Sequence, residues 1–230
     1  MEDTTAYLAF DIEKAGCLPI RHPVIAVGVC LGDEDGLIIE KKRWTFQVQW
    51  PDDLKNPSHY GDFEPRCWEE FWSKQKPELI AELKQDAKPQ KEGWNDFVKW
   101  VDELEKKYSK IVLLSDNPGY DLGAIDVNLE RYTERMPLRY ASTTGDYRSL
   151  IVSDDAYYIA SEDTMMAVKE ERLFPFVQPD HRPENDAEVV FRQYLVAMEL
   201  KHVYSMYEML AEQDPEEPDA EMATPIDVEQ

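Results

Sequence analysis

The chain has 230 residues and a mass of 26.8 kDa, a length that suits one full domain or two small ones. It carries 48 Asp and Glu against 25 Lys and Arg, so the formal net charge is −23 and the isoelectric point is near 4.5. Such a charge argues against a basic surface that binds nucleic acid and against binding to an anionic membrane. Hydrophobic residues make up 43% of the chain and aromatic residues 11%, which suffices for a packed core and excludes global disorder.

The cysteines and the apolar runs indicate the cellular compartment of the protein. Cys17, Cys30 and Cys67 lack the C-x-x-C spacing of zinc sites and fit free thiols in a reducing compartment. The longest apolar run, residues 24–31, is interrupted by Gly28 and is far shorter than the ~20 residues of a membrane helix. The N-terminus shows no basic region of a secretory signal. We therefore expect an intracellular, cytoplasmic protein without membrane contact.

The first part of the chain predicts antiparallel strands. Residues 7–13 alternate between apolar and polar positions, and residues 24–31 form a buried apolar strand. A Gly- and Asp-rich turn over residues 32–36 leads into further strands at 37–40 and 44–48. Tight turns between strands predict a hairpin or meander.

Helices and short strands follow a loop at residues 51–66, which is rich in Pro, Gly and Asn. A buried strand is predicted at 111–114, and weaker strands at 138–140 and 150–152. Helices are predicted over residues 67–73, 78–84, 92–108, 120–131 and 165–173, and a long helix runs from about 185 to 211.

This order of elements predicts an α/β fold with a mixed β-sheet flanked by helices. We expect one domain over residues 1–212, in which residues 44–90 form an insertion, and an acidic disordered tail over residues 213–230. Residues 211–230 hold eight acidic residues and no Lys or Arg. Setting those eight charges aside reduces the formal net charge from −23 to −15.

Two acidic residues occupy alternate positions of the first predicted strand. Side chains at i and i+2 share one face, so Asp11 and Glu13 project together while Phe10 and Ile12 point into apolar surroundings. Two carboxylates aimed at one spot repel each other unless a cation or a proton joins them. The pair indicates either a cation site or a solvated strand end.

A further acidic residue follows the predicted strand at 111–114. The chain turns there through Ser115 and Asn117, and Asp121 opens the next helix. Ligands of open α/β sheets collect beyond the carboxyl ends of strands. Asp121 is therefore a candidate site residue, with ordinary helix capping as the alternative.

A histidine and an acidic residue precede the last helix. Pro179 and Pro183 place His181 on a loop, and Asp186 falls in the first turn of the helix. The arrangement fits a functional pair, or a surface histidine beside a helix cap formed by Asn185 or Asp186.

Taken in order, these clusters resemble the three motifs of the DEDDh family of DnaQ-like 3′–5′ exonucleases, which have an RNase H-like fold. The resemblance covers roughly residues 6–200, and residues 145–150 look like the D-x-x-x-L stretch between the second and third motifs. The matching residues are Phe10-Asp11-Ile12-Glu13 with Gly16, Asn117 to Asp121, and His181 to Asp186 with Ala187.

The resemblance implies a two-metal site. Asp11, Glu13, Asp121 and Asp186 would hold two divalent ions directly or through water, and His181 would be the general base for the attacking water. Two ions about 3.5–4 Å apart clamp the attacking and leaving oxygens of a phosphodiester. Oxygen ligands favour Mg²⁺ or Mn²⁺ as the cofactor.

The chain also departs from the family pattern. Where the family usually has small hydroxyl residues, Lys14 either contacts a substrate phosphate or is an exposed lysine at the strand end. Gly16 and Asn117 are the other candidate substrate contacts. Aromatic residues of the insertion at 44–90 either stack on unpaired bases or form the buried face of a helix. The basic cluster at residues 41–43 either contacts a nucleic-acid backbone or protects a strand edge.

We expect a metal-dependent exonuclease that acts on the 3′ end of DNA or RNA and releases 5′-monophosphates. The nucleic acid would be single-stranded or short, and the acidic surface also suits a protein partner. Two other interpretations are an acidic scaffold or protein-binding module on the same fold, with weak or no nuclease activity, and a mimic of nucleic acid. The complete carboxylate set together with His181 favours the enzyme.

Overall fold

The computed structural model describes residues 4–117, 119–135, 138, 148–151 and 178–213. Its strands are β1 (Thr5–Lys14), β2 (Val24–Gly32), β3 (Ile38–Thr45), β4 (Lys110–Ser115) and β5 (Arg148–Ile151). They form one sheet in the order β3-β2-β1-β4-β5. The pairs β1–β2 and β2–β3 are antiparallel, whereas β1–β4 and β4–β5 are parallel. The predicted mixed sheet is confirmed.

Helices cover both faces of this sheet. They are α1 (Pro65–Glu70), α2 (Pro77–Gln85), α3 (Gln90–Lys107), α4 (Asp121–Tyr132) and α5 (Pro183–Gln213), with a turn of 3-10 helix at Trp72–Lys74. Helices α3 and α4 pack against one face, and α5 packs against the other across β1 and β2. In the part of the chain that the structure describes, no helix is long and apolar enough to cross a bilayer.

The alternation of β1 decides which side chains meet which helix. Phe10 and Ile12 lie in the core that α3 and α4 cover. Ala9 belongs to the separate cluster beneath α5. Because side chains two apart share a face, Asp11 and Glu13 lie on the α5 side of the sheet. The predicted orientation of this strand is confirmed.

Two glycines of β2 let α5 lie close to the sheet. A Cβ atom at Gly28 would come within 1.9 Å of the carbonyl carbon of Pro183, and one at Gly32 within 2.1 Å of the Phe191 ring. Gly28 is the register partner of Asp11. The first turn of α5 is therefore seated on the strand position directly beside Asp11.

Residues 63–85, which we call the cover segment, form a third packed unit at the carboxyl end of β1. Trp68 and Trp72 are buried there together with Phe63, against Ala15 and Ile25 at the adjoining ends of β1 and β2. These two tryptophans form the buried face of helical turns, as one of the two sequence alternatives proposed.

The basic cluster at residues 41–43 lies on β3, at one edge of the described sheet. The Lys41 ammonium is 2.8 Å from the carboxylate of Glu188, and the Arg43 guanidinium is 3.3 Å from that of Glu184. These ion pairs within the chain favour the edge-protection alternative over a free backbone contact.

Some predicted boundaries are wrong. The strands expected at 37–40 and 44–48 are the single strand β3, because its register with β2 runs from Ile38 to Thr45. The helix expected at 67–73 ends at Glu70, because Phe71 leaves the helical region with φ −126° and ψ −68°. The structure describes only Leu138 of the strand predicted at 138–140 and only residues 150–151 of the one at 150–152. The predictions at 145–147, at 165–173 and beyond 213 lie outside the described residues.

Candidate active site

Four acidic side chains converge from three elements at the carboxyl end of β1 and β4. Asp11 and Glu13 come from β1, Asp121 from the first residue of α4, and Asp186 from the first turn of α5. Glu13 and Asp121 are only 7% and 3% exposed. Asp11 interacts electrostatically with the other three carboxylates, whereas the ligand atoms found within 4.8 Å of one another among the described residues come from Glu13, Asp186 and His181.

All four carboxyl groups of this cluster have raised pKa values. Burial raises the pKa of Asp11 well above its usual range, and the carboxylates of Glu13, Asp121 and Asp186 raise it further. Burial is also the main cause that raises the pKa of Glu13, followed by repulsion from Asp186 and Asp121. Burial raises the pKa of Asp121 to about 7 and raises that of Asp186 as well. Charges that repel in this way are what a bound cation stabilises.

Asp121 is held by β4 and does not cap its own helix. The Ser115 hydroxyl donates a hydrogen bond of 2.7 Å to its Oδ2 atom, and its backbone N–H donates to the Asn117 carbonyl at 2.9 Å. The residue before α4 is Tyr120, and no side chain caps this helix. The capping alternative therefore does not account for the Asp121 carboxylate.

The His181 loop folds back onto Asp186. Its backbone N–H groups at Asp180 and His181 donate to the two carboxylate oxygens of Asp186, at 2.9 and 3.1 Å. His181 has φ +61°, the left-handed region that non-glycine residues seldom adopt. Its Nδ1 atom lies 3.7 Å from Oε1 of Glu13, and its side chain is 43% exposed. The imidazole thus stands at the mouth of the carboxylate cluster.

The donor set fits a divalent cation. One ligand atom each from Glu13, His181 and Asp186 lies within 4.8 Å of the others. Carboxylate oxygens dominate the cluster, as Mg²⁺ and Mn²⁺ require. The cation would also offset the burial and the mutual repulsion that raise the pKa of Asp11 and of Glu13.

Lys14 departs from the exposed lysine that was one of the two sequence alternatives. It is 2% exposed, and its ammonium lies 3.2 Å from the centre of the Tyr120 ring. Burial lowers its pKa to about 8. Lys14 is buried where the register of β1 with β2 shifts between Glu13 and Lys14. Beside this shift, the Trp72 indole donates a hydrogen bond to the Lys14 carbonyl. The bulge and the cover segment enclose a side chain that a regular strand end would leave in solvent.

The other two candidate substrate contacts have local structural partners. A Cβ atom at Gly16 would come within 2.3 Å of the His22 ring, so the glycine allows that histidine to pack. The Asn117 side-chain oxygen accepts a hydrogen bond from the Tyr120 N–H at 3.3 Å. A role for Gly16, Asn117 or Lys14 in binding substrate stays a prediction.

Sequence reasoning missed several residues that shape the site. Gly28 was visible as the interruption of an apolar run, and Ser115 directly follows the buried strand before Asp121. Phe71 and Glu82 of the cover segment contact the His181 loop from about 100 residues away. No local spacing indicates such contacts.

No protein-family model matches this chain, and no curated protein sequence matches it. Solved structures of exonuclease I do match its fold. Escherichia coli exonuclease I in complex with a 5cy-dT13 oligonucleotide gives a TM-score of 0.56 at 13% identity, over 90% of this chain and 45% of that chain. The zinc-bound complex of E. coli exonuclease I with single-stranded DNA gives 0.55 at 11% identity, over 91% and 43%. An exonuclease I complex with SSB-Ct gives 0.52 at 11%, over 90% and 46%.

These similarities establish the fold class. The chain has an RNase H-like mixed sheet flanked by helices, as predicted. It spans less than half the length of the exonuclease I chains that it matches.

Proposed function

We propose that the protein is a metal-dependent 3′–5′ exonuclease of the DEDDh type, which removes nucleotides from the end of a DNA or RNA strand. The observation that carries the proposal is the convergence of Asp11, Glu13, Asp121 and Asp186 beside His181, from three separate elements, on a fold shared with exonuclease I. The complexes of exonuclease I with single-stranded DNA support a single-stranded end as substrate.

Each side chain has a part in this proposal. The four carboxylates would hold two Mg²⁺ or Mn²⁺ ions, which supply charge neutralisation and an activated water for phosphodiester hydrolysis. His181 stands half-exposed where it can take a proton from the attacking water. Ser115 fixes the Asp121 carboxylate, and Asp186 fixes the His181 loop. The product would be a 5′-monophosphate.

The cellular setting is part of the same proposal. Cys17, Cys30 and Cys67 are all free thiols, which suits a reducing, cytoplasmic compartment. The net charge of −23 suits a basic protein partner in addition to the nucleic acid.

The test is a digestion panel. End-labelled single- and double-stranded DNA and RNA are incubated with the protein in Mn²⁺, in Mg²⁺ and in EDTA, alongside Asp11→Asn. The exposed Asp35→Asn is the matched control, because it removes one carboxylate outside the cluster. We expect digestion that EDTA and Asp11→Asn abolish and Asp35→Asn leaves intact. Digestion that ignores EDTA would exclude the metal mechanism. No digestion, with tight binding to a basic protein, would favour the scaffold module.

A further inference from the structure

The His181 loop is held from outside the carboxylate cluster by the cover segment. The ring of Phe71 meets the ring of His181 edge to face, with centroids 4.9 Å apart and planes at 88°. This is a favourable geometry for two rings, and it gives the imidazole a packing partner in the cover segment.

A second contact holds the next residue of the loop. Oε2 of Glu82 accepts a hydrogen bond from Nε of Arg182 at 3.1 Å and lies 2.9 Å from Nη2, and Oε1 accepts a weaker one from Nε at 3.3 Å. Hydrogen bonds between an ionised donor and an ionised acceptor are stronger than those between neutral groups. The side chains are only 33% and 36% exposed, so the pair is less screened than a surface salt bridge.

The two contacts come from a well-buried part of the cover segment. Helix α2, which carries Glu82, buries Leu79, Ile80 and Leu83, and Leu79 and Leu83 join the aromatic cluster of Trp72. Phe71 is the residue next to the buried Trp72. Glu82 also accepts a hydrogen bond of 3.2 Å from Arg43, which links it to β3.

The loop needs such support. His181 has a positive φ, and a residue in that region persists only where its surroundings over-determine the conformation. Within the loop, Asp186 holds the backbone N–H of His181. That hydrogen bond fixes the backbone and leaves the imidazole to be placed by its neighbours.

We propose that Phe71 and Glu82 are positioning residues, which hold His181 over the carboxylate cluster by clamping its ring and its neighbour Arg182. Neither residue belongs to the three exonuclease motifs. The cover segment would thereby preset the general base before substrate binds. The catalytic consequence rests on the proposed function, whereas the placement of the imidazole does not.

Two readouts test the clamp in the full chain. The first is the His181 imidazole resonance in protein labelled with ¹⁵N-histidine, assigned with His181→Gln. The described hydrogen bonds of Glu82 are with Arg43 and Arg182, so a shift or broadening of this resonance in Glu82→Gln reports an imidazole displaced through Arg182. The second is steady-state digestion of a single-stranded oligonucleotide in Mn²⁺. Here we expect kcat to fall about tenfold with KM unchanged, because misplacing a catalytic group by about 1 Å costs up to ~10²-fold.

Further variants test the contact from its other side. Arg182→Gln also removes the 2.7 Å pair of Arg182 with Asp180, so it should lose at least as much as Glu82→Gln, and adding Glu82→Gln to it should cause little further loss. Glu82→Asp keeps the carboxylate and should retain most of the rate that Glu82→Gln loses. If Glu82→Gln does not fold, Phe71→Leu provides a second test. Glu70→Gln is the control, because it breaks an exposed pair with Arg66 in the same segment.

The outcomes separate the two proposals. An unchanged His181 resonance together with an unchanged kcat in Glu82→Gln would overturn the clamp while leaving the exonuclease intact. A displaced resonance in a protein that digests nothing would support the clamp and contradict the proposed function.

Discussion

Burial of the Asp121 carboxylate lowers the stability of the folded protein when the group is charged. It is 3% exposed, and burial raises its pKa from the ordinary 3.8 to about 7. The Ser115 hydroxyl compensates only in part, since it offers one hydrogen bond to a group that water would solvate fully.

This cost predicts a stabilising substitution. The folded protein keeps a proton on Asp121 that the unfolded chain releases above pH 4, so the stability contributed by this residue falls as pH rises from about 4 to about 7. Asp121→Asn removes that loss and keeps an acceptor for Ser115. In EDTA at pH 8 we expect the free energy of unfolding to rise by roughly 1–4 kcal/mol, since one pKa unit corresponds to about 1.4 kcal/mol.

Urea denaturation at pH 4.5, 6 and 8 measures this effect. The gain from Asp121→Asn should be small at pH 4.5 and largest at pH 8. If Asp121→Asn is less stable than the wild type at pH 8, burial of the Asp121 charge does not destabilise the folded protein.

A substitution of His181 distinguishes a general base from a metal ligand. Glu13 and Asp186 supply oxygen ligands without it, and hard cations prefer oxygen. We therefore expect His181→Ala to lower kcat by about 10²- to 10⁴-fold, the usual contribution of a general base. The affinity for Mn²⁺, measured by isothermal titration calorimetry, should stay close to that of the wild type. A comparable loss of Mn²⁺ binding would make His181 a ligand.

Among the elements, the seating of α5 on β2 decides whether the site assembles. The helix brings Asp186 to the β1 carboxylates because Gly28 leaves room for the backbone at Pro183. The side chain of any other residue at position 28 would press on backbone atoms, which cannot rotate away.

Gly28→Val should therefore displace the start of α5. We expect a loss of about 1–3 kcal/mol in the free energy of unfolding, typical of overpacking, together with weaker binding of Mn²⁺. Gly119→Ala is the control, because among the described residues a Cβ atom there meets only the Asn117 side-chain oxygen, at 4.0 Å. Calorimetric titration with Mn²⁺ and thermal denaturation follow both effects. Full Mn²⁺ affinity in Gly28→Val would mean that the seating of α5 does not build the site.

The elements also show what the sequence could reveal. The period of two in β1 placed Asp11 and Glu13 on one face, and the period of the last helix brought its predicted start within two residues of Pro183. The burial of Lys14 was not predictable, because it depends on a register shift that leaves no mark in the spacing of residues. The Glu82–Arg182 pair joins residues 100 positions apart, and one chain alone gives no signal for such a contact.

For the whole molecule, the net charge of −23 limits how nucleic acid can bind. Residues 211–230 carry eight of the acidic charges, and four more belong to the carboxylate cluster that divalent ions would neutralise. Setting both groups aside leaves −11. The basic residues Lys41 and Arg43 are engaged in ion pairs within the chain. The protein therefore offers little attraction to a long polyanion.

This charge predicts weak binding to a short terminal stretch, without processive tracking. Because few phosphates would be neutralised, the slope of log K against log salt should be shallow, about −1 to −2 for a single strand. Fluorescence anisotropy with oligonucleotides of 5 and 20 nucleotides, in Mn²⁺ with Asp11→Asn to prevent digestion, measures the slope and the length dependence. A slope steeper than about −5, with much tighter binding of the longer strand, would reveal a long basic track.

The most direct test of the account is the polarity of digestion by the wild type and by Asp11→Asn. One single-stranded oligonucleotide is labelled at its 5′ end in one sample and at its 3′ end in another, and both are digested in Mn²⁺. We expect early release of the 3′ label as a mononucleotide and a ladder of shortening 5′-labelled products. Asp11→Asn should produce neither. Release of the 5′ label first, internal cleavage, or equal digestion by Asp11→Asn would contradict a 3′–5′ exonuclease built on this carboxylate cluster.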